Sequence, residues 1–253
     1  MTAVEFQPVK SADRTLEVLE ALAASPGRRS LVDLARALDI PKSSLHGILR
    51  TMARRGWVEA DATGTRFGLG VRALEVGAAY LEADNAVGLL SGVLDDLARR
   101  FGEAVHLGRL DGPNVVYLAK RESAHRLRLY SAIGRRLPAH ATALGKALLA
   151  CARSPLDLLP DPLPRLTTNT ITDRDALLAE LQQTGVRGYA VDREENTEGI
   201  VCFAVAVPLA DPPTDAISVS VPAARLAPET EAHIAAALSQ ATAHLRAARP
   251  ILS

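Results

Sequence analysis

The segment Ser30-Leu-Val-Asp-Leu-Ala-Arg-Ala-Leu-Asp-Ile-Pro-Lys-Ser-Ser-Leu-His-Gly-Ile-Leu-Arg-Thr-Met-Ala-Arg-Arg-Gly56 decides how the first third of this 253-residue chain folds. Ser30 is a natural N-cap, and behind it Leu31, Leu34, Ala35 and Leu38 recur at i, i+3, i+4 and i+7. That spacing predicts a short helix with one apolar face. Asp39-Ile40-Pro41 leaves room only for a tight turn. A second helix is predicted from Pro41 to about Arg55, since proline suits a first helical turn, where its missing N–H would have been unpaired. Leu45, Ile48, Leu49 and Met52 form its apolar side, opposite Lys42, Ser43, His46, Gly47, Arg50 and Arg54. Two helices joined by a three-residue turn, the second with a polar, basic and small-residue outer face, describe a helix-turn-helix.

Working outward, Ser11 is a candidate cap for an earlier helix carrying Leu16, Leu19, Leu22 and Ala23, which Ser25-Pro26-Gly27 would end. Gly56 closes the later helix as a C-cap. Trp57–Ala60 and Arg66–Leu69 then read as the two strands of a hairpin, a wing with Ala62-Thr63-Gly64 at its tip. Between Arg28 and Arg66 stand eight basic residues and four acidic ones, although the whole chain has a formal net charge of +0. This local excess is where phosphate contacts would need it. Lys42, Ser43 and Ser44, at the helix start, are candidates for holding a phosphate. His46 and Arg50, one turn apart, are candidates for base edges in the major groove, which small Gly47 would let the helix approach. Arg66 on the wing is placed for a phosphate or the minor groove. Helix-turn-helix pairs also occur in enzymes and as protein-interaction modules, and both alternatives stay open on these residues alone.

Composition narrows the classes. Apolar residues make up 48% and charged residues 23%, as in soluble globular proteins. The length allows two domains. Cys151 and Cys202 are the two cysteines, far apart and without metal-ligand spacing, which fits a reducing cytoplasm. The N-terminus carries no signal-peptide pattern. The longest apolar run, Ile200 to Ala210, is about half of the ~20 residues a spanning helix requires. No HExxH motif or phosphate-binding glycine loop is present. The expectation is a cytoplasmic protein with no membrane partner, no metal and no cofactor.

These features resemble the IclR family of bacterial transcriptional regulators. The resemblance is carried by Ser11-Ala-Asp-Arg-Thr-Leu-Glu-Val-Leu-Glu20, by Leu38-Asp-Ile-Pro-Lys-Ser-Ser-Leu45, by Arg54-Arg-Gly-Trp-Val58 and by Phe67-Gly-Leu-Gly70. It continues through Leu137-Pro-Ala-His-Ala-Thr-Ala-Leu-Gly-Lys-Ala-Leu-Leu-Ala150, Gly188-Tyr-Ala-Val-Asp-Arg-Glu-Glu195, Glu198-Gly-Ile-Val-Cys202 and Ala216-Ile-Ser-Val-Ser-Val-Pro222. Asp39 departs from the family's usual turn glycine. Aspartate tolerates a left-handed backbone, so the turn is expected to survive.

The resemblance implies an α+β protein: a winged helix-turn-helix over residues 1–70, a linker helix over 71–84 that the family uses in dimerisation, and a GAF-like effector-binding domain over 85–253. The residues themselves predict a helix from about Ala86 to Arg100, a hairpin of Ala104–Leu110 and Val115–Lys120, and a strand at Leu127–Ser131. Further on they predict helices from Thr142 to about Arg153 and from Asp173 to about Thr184. Strands at Tyr189–Asp192, Ile200–Pro208 and Ala216–Val221 follow, before a closing helix from Pro228 to Arg249. Gly134 to Thr142 leads into a helix N-terminus, a feature that favours anions.

Similarity to the family places an effector pocket among Ala143, Leu144, Asp192, Ile200, Cys202, Ser218 and Ser220. Ser218 and Ser220 alternate along one strand, so both hydroxyls face one side. Arg126 and Arg128 are further candidates as counter-charge for an acid. The expected partners are a palindromic double-stranded DNA operator, a small organic acid (a sugar acid or an aromatic acid) and a second copy of the chain, as homodimer or tetramer. A Cys-dependent enzyme using Cys151 with His140 is the weaker alternative, since nothing would orient such a histidine. Cys151 is expected mid-helix, in packing.

Overall fold

A computed structural model describes residues 7–25, 27–125 and 132–252. The expected strand at Leu127–Ser131, and Arg126 and Arg128, lie outside the described residues. The chain divides into two compact units, one up to Ala83 and one from Asp84.

The first unit contains α1 (Lys10–Ala23), β1 (Arg29–Ser30), α2 (Leu31–Ala37), α3 (Lys42–Arg54), β2 (Val58–Ala60), β3 (Arg66–Leu69) and α4 (Val71–Ala83). Val18, Leu22, Leu34, Leu45, Leu49, Met52, Val58 and Phe67 form one core, so the predicted apolar faces meet there. Ser11 does not cap α1. The helix begins two residues earlier, at Lys10 behind Val9, whose carbonyl accepts from the N–H groups of Ala12 and Asp13. Ser30 does cap α2: its Oγ accepts from Asp33 N at 3.1 Å and donates to the Asp33 carboxylate at 2.7 Å. Asp39 adopts φ +50°, the left-handed conformation the turn demands.

The wing is a three-stranded antiparallel sheet in the order β1-β3-β2. Strand β1 has two residues, too few to show any period. Gly70 closes this sheet onto the C-terminus of α3. A Cβ there would lie 2.2 Å from the Gly56 carbonyl oxygen, so only glycine fits. Helix α4 has no buried residue.

The second unit is built on a six-stranded antiparallel sheet, ordered β6-β5-β4-β9-β8-β7. Its strands are β4 (Ala104–Asp111), β5 (Asn114–Arg121), β6 (Arg136–Pro138), β7 (Ala190–Arg193), β8 (Ile200–Val207) and β9 (Asp215–Pro222). Every residue of β9 is buried, as expected for a central strand covered on both faces. Helices α6 (Ala143–Leu149) and α7 (Arg174–Arg187) pack on one face through Leu144, Leu148, Leu177 and Leu181 against Val115, Ala204 and Ala216. Helix α5 (Asn85–Phe101) packs on β4, β5 and β9, helix α8 (Pro228–Leu252) packs on β8 and β9, and the two helices touch each other. Asp84 caps α5 through Ala86 N, and Gly102 ends it with φ +67°.

Helix α6 stops at Leu149, a turn short of the predicted Arg153. The N–H groups of Cys151 and Ala152 reach back only three residues, and Pro155 follows, which the backbone before it must accommodate. Cys151 therefore sits exposed on a turn, not mid-helix. Strand β6 and the 3-10 turn Ala139–Ala141 lie outside the sequence expectations, because three residues carry no periodicity.

Candidate DNA-binding face and effector cavity

In the first unit, Leu45, Leu49 and Met52 hold α3 in the core, which fixes the direction of its other side. Lys42, Ser43, Ser44, His46, Gly47, Arg50 and Arg54 are all exposed. With 100° per residue, Ser43, Gly47, Arg50 and Arg54 lie nearest the middle of the outward stripe, Lys42 and His46 on one flank and Ser44 on the other. Ser44 also borders an apolar groove between α1 and α3, beside Leu16 and Ile48. No side chain caps the first turn of α3, so its N–H groups face solvent partners. Arg66 is exposed on β3, with one guanidinium nitrogen 3.4 Å from the Arg28 carbonyl oxygen. Asp61 holds the wing tip, accepting from the N–H groups of Thr65 (2.8 Å) and Arg66 (3.1 Å).

In the second unit, a cavity of about 220 Å³ opens between the sheet and α6. Ala143, Leu144, Asp192, Ile200, Cys202, Ser218 and Ser220 all line it, so the structure brings together seven residues scattered over 78 positions of sequence. Their convergence has a local cause. Thr142 Oγ1 accepts from Gly145 N at 3.1 Å and starts α6, and a Cβ on Gly145 would lie 2.1 Å from the Ala139 carbonyl oxygen. That close approach seats Ala143 and Leu144 against the sheet. The ladder pairs Cys202 with Ser220 and His106 with Ser218, so one face of three strands forms the floor.

The floor is a connected polar row. Cys202 Sγ donates to Ser220 Oγ at 3.2 Å, and Ser220 Oγ lies 3.5 Å from His106 Nδ1. His106 stacks on Tyr117 with ring centroids 4.7 Å apart. Burial, with the nearby Lys120 charge, pushes the His106 imidazole down to about 4, so it is neutral at physiological pH. Burial pushes the Asp192 carboxyl up to about 7, against the stabilising N–H bond from Glu195. Burial also pushes up the Tyr117 hydroxyl and the Cys202 thiol. A thiol held protonated is a poor nucleophile.

His106, Tyr117, Arg135, Thr142, Asn196 and Thr197 also line the cavity but were not singled out as contacts. His106 carried a readable signal, a polar residue within an apolar strand. Arg135 stands in the Gly134–Thr142 segment and is the cation at the rim. Asn196 and Thr197 belong to a bend with no sequence signature. The Cys151 and His140 alternative finds no support: Cys151 donates to the Ala147 carbonyl, while His140 is fully buried with Nε2 on the Pro164 carbonyl at 2.9 Å.

Comparison with known proteins agrees with this geometry. The family model described as IclR helix-turn-helix domain matches residues 11–62, and the model described as bacterial transcriptional regulator IclR C-terminal matches residues 78–247. The chain belongs to the IclR family. This IclR protein is 35% identical to the HTH-type transcriptional regulator XynR of Escherichia coli (strain K12) over 202 residues, 79% of this chain and 80% of XynR. It is 37% identical to the HTH-type transcriptional regulator BhcR of Paracoccus denitrificans (strain Pd 1222), covering 86% of this chain and 79% of that one. Its fold is similar to that of an IclR homolog from Microbacterium hydrocarbonoxydans solved in complex with 4-hydroxybenzoate, with TM-score 0.76, 24% identity and coverage of 94% and 99%. The chain is a DNA-binding transcriptional regulator, of a family that is not enzymatic. Among the described residues, no helix is long and apolar enough to cross a membrane.

Proposed function

We propose that this regulator binds a palindromic operator as a homodimer, or a pair of dimers, and that a small organic acid in the second unit's cavity changes its operator affinity. The observation that carries the reading is the cavity itself: a closed polar floor of Ser218, Ser220, Cys202 and His106, with Arg135 at the mouth. At about 220 Å³ it lies below the ~300–1,000 Å³ typical of drug-sized ligands, which favours a small metabolite. Hydroxyl donors and one rim cation suit a carboxylate, and the 4-hydroxybenzoate held by a protein of the same fold is consistent with an acid.

Residues 71–84 act as the connector between the operator-binding unit (1–70) and the effector domain (85–253). Helix α4 leaves Leu74 71% and Tyr80 53% exposed, together with Val71 and Val76. Val71 and Leu74 lie on one side of the helix and Val76 and Tyr80 on the other; a second copy is the natural cover for apolar side chains so exposed, and a symmetric operator requires a symmetric protein. The protein acts in the cytoplasm, where its two free cysteines stay reduced.

The test is a thermal-shift screen against organic acids, followed by fluorescence anisotropy on the promoter beside its own gene. A stabilising acid is expected to change operator affinity by about 5–150-fold. Stabilisation with unchanged operator affinity, or no response to any acid, would reject the regulatory role of the cavity.

A further inference from the structure

Beside the cavity, but not lining it, lies a charged cluster that ligand contact does not explain. Lys146 is 1% exposed and Glu195 5% exposed. Lys146 Nζ donates to Glu195 Oε1 at 2.6 Å and stands 3.8 Å from Glu180, which also receives Arg187 at 2.7 Å. Burying such a pair is costly, and a well-packed apolar pair of similar volume is often as stable or more so. Stability alone therefore gives little reason for this arrangement.

Its placement gives a better one. Lys146 stands on α6, two residues after Leu144 of the cavity wall. Glu195 stands in the bend between β7 and β8. Its N–H donates to Asp192 Oδ1 at 2.7 Å, and the next two residues, Asn196 and Thr197, line the cavity. The Glu195 carbonyl is held from behind by Thr170 Oγ1 at 2.7 Å. One buried ion pair thus joins the two cavity walls that do not belong to the sheet, and the same residue aims the Asp192 carboxylate.

We propose that Lys146 and Glu195 are positioning residues of the effector cavity, pinning the Asp192–Thr197 bend to α6 and so setting how readily the cavity opens. This rests on the reading of the cavity as the effector site.

The test needs no effector. Cys202 lines the cavity and pairs in register with Asp192, so its access to a reagent reports the opening of that wall. In the full chain carrying Cys151→Ser, the alkylation rate of Cys202 by iodoacetamide is followed by intact mass, well below Tm. The combined Lys146→Met and Glu195→Leu variant removes one charge of each sign near the thiol, so the rate reports access. Expected is a rise of about tenfold, as for a local opening, with Tm within a few degrees of the parent. Leu94→Ala, in the fully buried core of α5, serves as a control of lowered overall stability and is expected to leave the rate within about twofold. An unchanged rate in the double variant, a matching rise in Leu94→Ala, or a double variant that does not fold would each overturn the proposal. Failure of every organic acid to bind would instead refute the effector reading and leave the alkylation result standing.

Discussion

Asp192 and His106 share one cavity, yet burial moves them in opposite directions on the pH axis. Asp192 titrates at about 7 in the folded chain against an ordinary 3.8. The folded state therefore holds more protons than the unfolded state between these values, and this contribution to stability falls as pH rises from 4 to 7. His106, at about 4 against 6.5, does the reverse: its burial costs nothing above pH 6.5 and penalises the fold increasingly below it. The two slopes oppose each other from pH 4 to 6.5. Chemical denaturation over that range should show Asp192→Asn gaining stability with rising pH, and His106→Asn losing it, each by up to a few kcal/mol. Parallel profiles for both variants would contradict the assignment. On the DNA side, Arg50→Ala should cost about 1–3 kcal/mol of operator affinity if the guanidinium reads a guanine, measured by gel-shift titration. The α3 fold should be unaffected, since Arg50 touches none of its core.

Among the elements, legibility followed length and periodicity. Helices α2, α3, α5 and α7 were readable because Ser30, Pro41 and Asp173 mark starts and Gly56 and Gly102 mark ends, whereas the cap at Asp84 and the terminator at Gly188 show themselves only in the fold. The paired strands β4 and β5 were readable from the Asp111-Gly-Pro113 turn between two apolar runs. Ser11 misled because cap preference describes a side chain, whereas the backbone carbonyl of Val9 had already started α1. Strands β1 and β6 exist only through pairing with β3 and β5, a tertiary fact invisible along the chain. Of the cavity, the family resemblance supplied seven residues, while the stacked His106 and Tyr117 pair and the Asn196–Thr197 bend emerge only when the sheet folds. Gly70 offers a check at this scale. Gly70→Ala drives a methyl group into the Gly56 carbonyl and is expected to destabilise the first unit by about 1–3 kcal/mol in urea titration. A neutral result would show that the junction after β3 can relax.

At the scale of the whole molecule, the proposed function assigns operator binding to the first compact unit and sensing to the second, so the two should be separable by mutation. Ser218→Ala combined with Ser220→Ala removes two hydroxyls from the cavity floor without touching the first unit. Operator affinity should persist while the response to an identified acid disappears, read by anisotropy with and without that acid. On the proposed dimer, Leu74→Glu at an exposed position of α4 should shift sedimentation toward the monomer and weaken operator binding at fixed protein concentration. Sedimentation unchanged by that charge would move the self-association surface elsewhere.

Strand β9 bears on how such a response could travel. It carries both cavity serines and is laddered along its length to β4 on one edge and to β8 on the other. A molecule pressing on Ser218 and Ser220 therefore pushes against an anvil bolted down on both sides. Displacing that strand would break two rows of backbone hydrogen bonds at once, so the give in the chamber belongs to its jaw: the short helix and the bend opposite.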